Sequence, residues 1–222
     1  MITILAIQEE LVPLQNHAQA EKMEKYMRNQ FSFLGIKTPE RRKAVKKAIK
    51  VHGLPDKQDL KTLLYNLWDK DEREYQNVAL DLLDLVKEFP MDYVELIENL
   101  ITTKSWWDTV DGLAVHSAGT YFKQFPNKVE TVTEKWIKSP NLWLNRSALL
   151  FQLSYKADTD FELLKRYICL HSQSKEFFLQ KAIGWALREY SKTDPAAVEM
   201  FIKQEDLAPL SKREGLKVIN KQ

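Results

Sequence analysis

The densest chemistry in this 222-residue chain lies in Lys104-Ser105-Trp106-Trp107-Asp108-Thr109-Val110-Asp111, where two adjacent indoles meet two carboxylates. On a helix, Trp107 and Asp111 are four residues apart and share a face. An indole presents a negative π face and a carboxylate a full charge, so the pair suits a group on which positive charge develops. The same residue types also fit a plainer arrangement, with Trp106 or Trp107 packed between helices and Asp108 capping a helix or pairing with Lys104. The other reactive side chains offer less. Cys169 is the single cysteine, so no intramolecular disulfide is possible, and with no catalytic partner near it in sequence it is expected to be a buried small hydrophobe. His17, His52, His116 and His171 are scattered without ligand spacing, and no metal site is expected. Trp68, Trp136 and Trp143 are expected to be core residues.

Helices must position these groups. Val78, Leu82, Leu85 and Phe89 recur at helical spacing, and sustained alternation of strand type is absent. Phe89-Pro90, Phe125-Pro126 and Ser139-Pro140 read as helix stops, while Thr38-Pro39-Glu40 and Thr193-Asp194-Pro195 read as helix starts. An alanine followed by an aliphatic residue recurs at Ala44-Val45, Ala79-Leu80, Ala114-Val115, Ala148-Leu149 and Ala182-Ile183, with separations of 35, 35, 34 and 34, and Gly215-Leu216 follows at 33. A small residue at a fixed place is what a helix needs where a neighbouring backbone comes close. The reading is an all-α fold, a HEAT-like helical-repeat solenoid forming a single domain over residues 1–222, with a concave face suited to duplex DNA. In this register Asp111 sits at minus three from its repeat alanine, Trp107 at minus seven, Arg146 at minus two and Trp185 at plus three. Arg146 projects about 100° from Asp111, so either it reaches across from the next repeat or the register there differs by a residue.

The formal net charge of +2 conceals a strong asymmetry. Between Lys37 and Lys57 eight cations oppose two anions, a balance of +6; between Trp68 and Glu98 three cations oppose ten anions, a balance of −7. The first region, which includes Arg42, Lys43 and Lys46, could meet phosphate or could be a solvated helix face. No apolar run is long enough to span a membrane, and the apolar start Met1–Ile7 lacks a basic flank and a cleavage signal, so a cytoplasmic protein with no membrane contact is expected.

Ser105-Trp106-Trp107-Asp108-Thr109-Val110-Asp111, Leu144-Asn145-Arg146 and Gly184-Trp185-Ala186-Leu187-Arg188-Glu189-Tyr190 together resemble the AlkD-type bacterial DNA glycosylases of alkylation repair. The resemblance spans nearly the whole chain, including Tyr26-Met27-Arg28-Asn29-Gln30-Phe31, Gly35-Ile36 and Leu210-Ser211-Lys212-Arg213-Glu214. It implies removal of cationic N3- and N7-alkylated purines from duplex DNA, without metal or cofactor. Carried over by position, it makes Asp111 the catalytic carboxylate, Trp107 and Trp185 aromatic walls, Arg146 a phosphate or carboxylate partner, with phosphate contact favoured over a structural salt bridge to the aspartate, and Tyr26 a contributor to the lesion cleft. It also implies that the protein holds the damaged duplex without enclosing the base. Lys181 and Arg188, near Trp185, either contact backbone phosphate or are solvated.

The inventory fits that chemistry. A purine alkylated at N3 or N7 already carries positive charge and leaves neutral, so one carboxylate can serve where ordinary glycosidases use two. The expected product is an abasic site, with no lyase step, and the protein is expected to be a monomer. Two other functions stay open on sequence grounds, a non-catalytic DNA-binding member of the same class and a protein-binding helical scaffold.

Overall fold

In the computed structural model, residues 1–221 are described, and they gather into two compact units, Met1–Pro90 and Met91 onward. Helices make up both, and among the described residues the only β pairing is an isolated bridge between Ser32 and Glu72.

The first unit contains α1 (Ile4–Leu11), α2 (His17–Tyr26), α3 (Thr38–His52), α4 (Lys57–Asp69) and α5 (Arg73–Leu83). Its core is built from Ile7 and Leu11 of α1, Ala44 and Val45 of α3, Leu64, Leu67 and Trp68 of α4, and Val78 and Leu82 of α5. Local sequence explains the helix starts. Asn16 accepts the Gln19 amide at the head of α2, Asp56 accepts that of Asp59 at the head of α4, and Pro39 sits in the first turn of α3. The segment between α2 and α3 has no helix to satisfy its backbone, and α5 supplies the acceptors. The buried carboxylate of Glu74 takes the amides of Leu34, Gly35 and Ile36 at 2.9, 2.9 and 3.0 Å. Gly35 has φ +83°, and a Cβ there would lie 2.1 Å from the Asn16 carbonyl oxygen, so only glycine fits.

The second unit contains α6 (Tyr93–Thr102), α7 (Trp107–Gly112), α8 (Gly119–Gln124), α9 (Val129–Ile137), α10 (Leu142–Leu150), α11 (Phe161–Leu170), α12 (Phe177–Tyr190), α13 (Pro195–Gln204) and α14 (Pro209–Gly215). A π-helical stretch, Leu113–Ala118, joins α7 to α8. Trp136 is fully buried, meets Phe122 edge-on at 5.6 Å and donates its indole N–H to Glu98 at 3.0 Å. Phe122 in turn packs on Phe151 at 5.1 Å.

Two expectations fail locally. The rhythm Val78, Leu82, Leu85, Phe89 overruns its helix: α5 ends at Leu83, and the amides of Leu85 and Val86 turn back to Leu82 and Leu83 in three-residue bonds. Pro90 disfavours helical backbone at Phe89, which is buried from a non-helical segment. Cys169 is exposed rather than buried, because α11 turns Leu163, Leu164, Tyr167 and Ile168 inward and leaves position 169 on the opposite side.

Two repeats share the same cap. Gln76 donates its side-chain amide to the carbonyls of Leu67, Trp68 and Lys70, which lie nine, eight and six residues earlier, at 3.2, 3.1 and 2.7 Å. Asn145 does the same at the same offsets, to Trp136, Ile137 and Ser139 at 2.9, 3.0 and 2.9 Å. Each amide therefore closes the end of the preceding helix, where carbonyls lack intrahelical partners. Both residues stand three positions before a repeat alanine.

Candidate active site

Asp111 occupies that same position in its repeat, and a carboxylate cannot donate to carbonyls. The end of α6 is closed by hydroxyls instead. Thr102 donates to Glu98 and Asn99 carbonyls at 2.9 and 3.2 Å, Ser105 donates to the Ile101 carbonyl at 2.6 Å, and Thr103 donates to that of Asn99. Asp111 is thus released from the structural task that Gln76 and Asn145 perform. Its carboxylate turns to Arg146 on α10, which reaches across from the next repeat: Nε donates to Oδ1 and Nη2 to Oδ2, both at 2.7 Å. The third guanidinium nitrogen, Nη1, donates to the Phe178 carbonyl on α12. Arg146 is only 4% exposed, so its fork is committed inside the protein. The side chain of Asp111 keeps 17% of its surface open. Of the two partners considered for Arg146, the carboxylate is the one it holds.

Opposing forces act on this carboxyl. Burial pushes Asp111 up from its ordinary value, the two bonds and the charge of Arg146 pull it down, and nearby Asp108 raises it; the upward push is the larger. The π-helical stretch begins two residues after Asp111, a distortion that is frequent beside functional residues.

Aromatic rings flank the ion pair. Trp106 packs on Trp143 at 5.8 Å and on Phe178 at 5.2 Å, and Trp143 meets Phe178 at 5.0 Å. The Arg146 guanidinium carbon lies 5.9 Å from the Phe178 ring centre. Trp106 is therefore the packing tryptophan of the adjacent pair, and Trp107 opens α7, partly exposed, one turn before Asp111. Trp185 is partly exposed on α12, and among the described residues it has neither a hydrogen bond nor a stacking partner. It sits seven residues beyond Phe178, on the same stripe and about 10 Å along the axis. The stripe reads Phe178, Lys181, Trp185, Arg188. The structure thus joins Asp111 and Arg146 directly, places Trp107 on the helix of Asp111, and places Trp185 along the helix that Arg146 touches.

Lys181 and Arg188 are not simply solvated. Both reach the buried carboxylate of Glu214 on α14, at 3.1 and 3.3 Å. In the first unit, Arg42 is exposed but bonded to Asp81 at 2.8 Å, an acceptor it shares with buried Arg41. Lys43 and Lys46 are exposed without a partner among the described residues, and Tyr26, at the end of α2, is 72% exposed. Sequence reasoning did not single out Phe178 or Lys217. The first carried a usable signal in its seven-residue spacing from Trp185; the second carried none. A cavity of about 260 Å³ lies between α10, α11 and α12, lined in part by Leu149, Leu153, Leu164 and Tyr190, and none of the four candidate active-site residues lines it. Among the described residues no cluster of three potential metal ligands occurs, and no helix is long and apolar enough to cross a membrane.

No curated protein matches the chain. Solved structures do. A predicted DNA alkylation repair enzyme from Enterococcus faecalis is 38% identical, over 94% of this chain and 98% of that one, with a TM-score of 0.86. AlkD2 from Streptococcus mutans is 19% identical with a TM-score of 0.61, covering 78% of this chain and 87% of that one. The smu.31 protein of Streptococcus mutans is 18% identical with a TM-score of 0.60, covering 78% and 90%. The latter two share the fold, which is the HEAT-like all-α class. The family described as DNA alkylation repair enzyme matches residues 7–219, and with the Enterococcus relative this shows that the chain belongs to the DNA alkylation repair enzyme family.

Proposed function

We propose that this protein is a monofunctional DNA glycosylase that hydrolyses the N-glycosidic bond of cationic N3- and N7-alkylated purines in duplex DNA. The observation that carries the reading is Asp111. Where the repeats on either side use the capping amides of Gln76 and Asn145, this repeat has a carboxylate, held by two bonds from a buried arginine and left partly open. Nothing in the capping architecture calls for that residue, and a fixed, partly desolvated negative charge is what an oxocarbenium-like sugar requires.

In this mechanism Asp111 stabilises positive charge as it moves from the base to the sugar, and orients or deprotonates the attacking water. Arg146 keeps the carboxylate in one orientation, so no reorganisation is needed as the bond breaks. Trp107 and Trp185 offer π faces to the sugar and the lesion, each worth on the order of 1–2 kcal/mol where water is excluded. The base departs neutral, so no general acid is required. Exposed Tyr26, Lys43 and Lys46, together with Arg42, contribute contacts to the duplex, and the protein acts as a monomer.

Single-turnover release of 7-methylguanine from a labelled duplex tests this, with wild type and Asp111→Asn compared at saturating protein. The expected result is release by wild type and a loss of at least about 100-fold in the variant. Tight binding with no release by either protein would replace this reading with a non-catalytic DNA-binding role; neither binding nor release would point to a protein scaffold.

A further inference from the structure

Glu214 lies at the centre of the second unit's other concentration of charge. It is nearly buried on α14, and three cations converge on it: Lys217 at 2.7 Å from both carboxylate oxygens, Lys181 at 3.1 Å and Arg188 at 3.3 Å. Three positive charges against one negative leave +2 around a single fixed point. All three cations remain partly exposed while the carboxylate does not. A carboxylate that only neutralised a surface lysine would be solvated; this one is enclosed, and it gathers more charge than it cancels.

The helix packing shows how it is held. Gly184 on α12 faces α14 so closely that a Cβ would lie 2.3 Å from Glu214 Cβ and 3.1 Å from the Ser211 carbonyl oxygen. Ser211 donates its hydroxyl to the Gln180 carbonyl at 3.0 Å, tying the same two helices together. The Glu214 side chain is thereby laid against α12 between Lys181 and Arg188, which stand one turn on either side of Trp185.

Lys181 and Arg146 are held differently. Arg146 is nearly enclosed and committed to Asp111 and the Phe178 carbonyl. Lys181 is held by a shared carboxylate and stays partly open, which leaves it able to take an external anion.

We propose that Lys181, Arg188 and Lys217 form a binding site for a DNA backbone phosphodiester beside Trp185, and that Glu214 is the positioning residue that fixes their geometry. The inference rests on the glycosylase reading for its ligand. A phosphodiester carries one negative charge, and a net +2 site with three convergent N–H donor groups is opposite to it in sign and fits it in hydrogen-bonding type. Binding there would hold the strand so that the sugar meets Asp111 rather than sliding along α12.

The test is the salt dependence of binding to an undamaged duplex, a readout independent of base release. Losing the one phosphate contact, in Lys181→Ala with Arg188→Ala, is expected to lower the log–log salt slope by about 0.9, and Lys217→Ala alone by a part of that, with affinity lost roughly equally across sequences. Glu214→Gln separates positioning from simple countercharge. It adds one positive charge, so if Glu214 merely neutralised its neighbours the variant would bind more tightly. The expected result is weaker binding, by roughly 5-fold, with a shallower slope. Tighter binding by Glu214→Gln would overturn the positioning role. Should that variant fail to fold, exposed Lys217 carries the test, and an unchanged slope in Lys217→Ala would overturn the site. If wild type binds and releases base while all slopes stay unchanged, only this inference fails; a wild type that neither binds nor releases removes both.

Discussion

Arg146 grips Asp111 through two parallel bonds of 2.7 Å, and the two residues differ in burial, the arginine being almost wholly enclosed and the carboxylate partly open. The asymmetry shapes what each deletion does. Arg146→Ala leaves a mostly buried carboxylate unpaired and is expected to cost about 3–5 kcal/mol of stability. Replacing both residues with apolar ones, Asp111→Leu with Arg146→Met, is expected to recover most of that loss while base release stays absent. Urea denaturation of the singles and the double measures it. Recovery of stability without activity means the pair is kept for chemistry; a double variant as unstable as the singles would mean it is kept for the fold.

The carboxyl of Asp111 is pushed above its ordinary value of 3.8, by burial first, with Arg146 opposing. If its ionised form is the catalytic one, base release should fall as pH drops through that raised value, with an acid limb above the ordinary aspartate range. Stability should move the other way. The folded state holds the proton over a window in which the unfolded chain has released it, so this group favours folding at low pH and loses that contribution as pH rises from 3.8 through the folded value. Rates measured against pH at saturating protein, together with the pH dependence of unfolding for wild type and Asp111→Asn, check both signs.

Much of the fold was legible because its signals are local. Pro39 and Pro195 mark helix starts, Pro126 and Pro140 follow helix ends, and the five repeat alanines are all buried. The end of α5 was not legible, since Leu85 and Phe89 keep helical spacing and the break is made by turn bonds that leave no composition signal. At the site, Trp107 and Asp111 could be paired from spacing alone within one helix. Arg146 was not placed at Asp111 by the sequence: the repeat register projects it about 100° away, and only the fold brings its fork across from α10, while Phe178, which orients it with a backbone carbonyl, contributes an atom that every residue type possesses. The cations held by Glu214 depend on α14 approaching α12 at Gly184, a contact between segments about 30 residues apart in sequence.

The capping amides predict an unequal pair of substitutions. Asn145→Asp removes the donors from three carbonyls and places a charge among them, next to Arg146, so a loss on the order of 3 kcal/mol is expected. Asp111→Asn supplies the residue type that Asn145 has at this position of the next repeat and still offers Arg146 one acceptor. The buried guanidinium loses its countercharge but keeps the amide oxygen and the Phe178 carbonyl as acceptors, so the cost should be smaller, about 2 kcal/mol. Thermal and urea unfolding of the two variants side by side measure the difference; equal losses would mean that Asp111 does not occupy the capping position in the sense argued above.

Glu214 is held below its ordinary value of 4.5 chiefly by the bonds from Lys217, with Lys181 assisting and burial opposing. A lowered carboxyl stabilises the fold above the unfolded value, and that contribution is lost as pH falls below 4.5 towards the folded value. Wild type should therefore lose its stability advantage over Glu214→Gln as the solution is acidified through this range. Unfolding free energies of both proteins between neutral pH and pH 3 give the comparison. A difference that does not vary with pH would show that Glu214 is not ionised by its three neighbours.

Gly184 tests the packing on which that arrangement depends. It lies inside α12, where alanine would ordinarily be preferred by about 1 kcal/mol. Here the added methyl meets Glu214 Cβ at 2.3 Å and the Ser211 carbonyl oxygen at 3.1 Å, and neither is the far end of a flexible side chain. The helix α14 must shift, so the clash outweighs the propensity, and Gly184→Ala is expected to lose about 1–3 kcal/mol. The displacement also moves Glu214 away from Lys181 and Arg188, so duplex affinity should fall in the folded variant, measured well below its unfolding temperature. A variant stabilised by the substitution would mean that α14 yields without cost; normal stability with normal affinity would mean that the α12–α14 contact does not set the position of these cations.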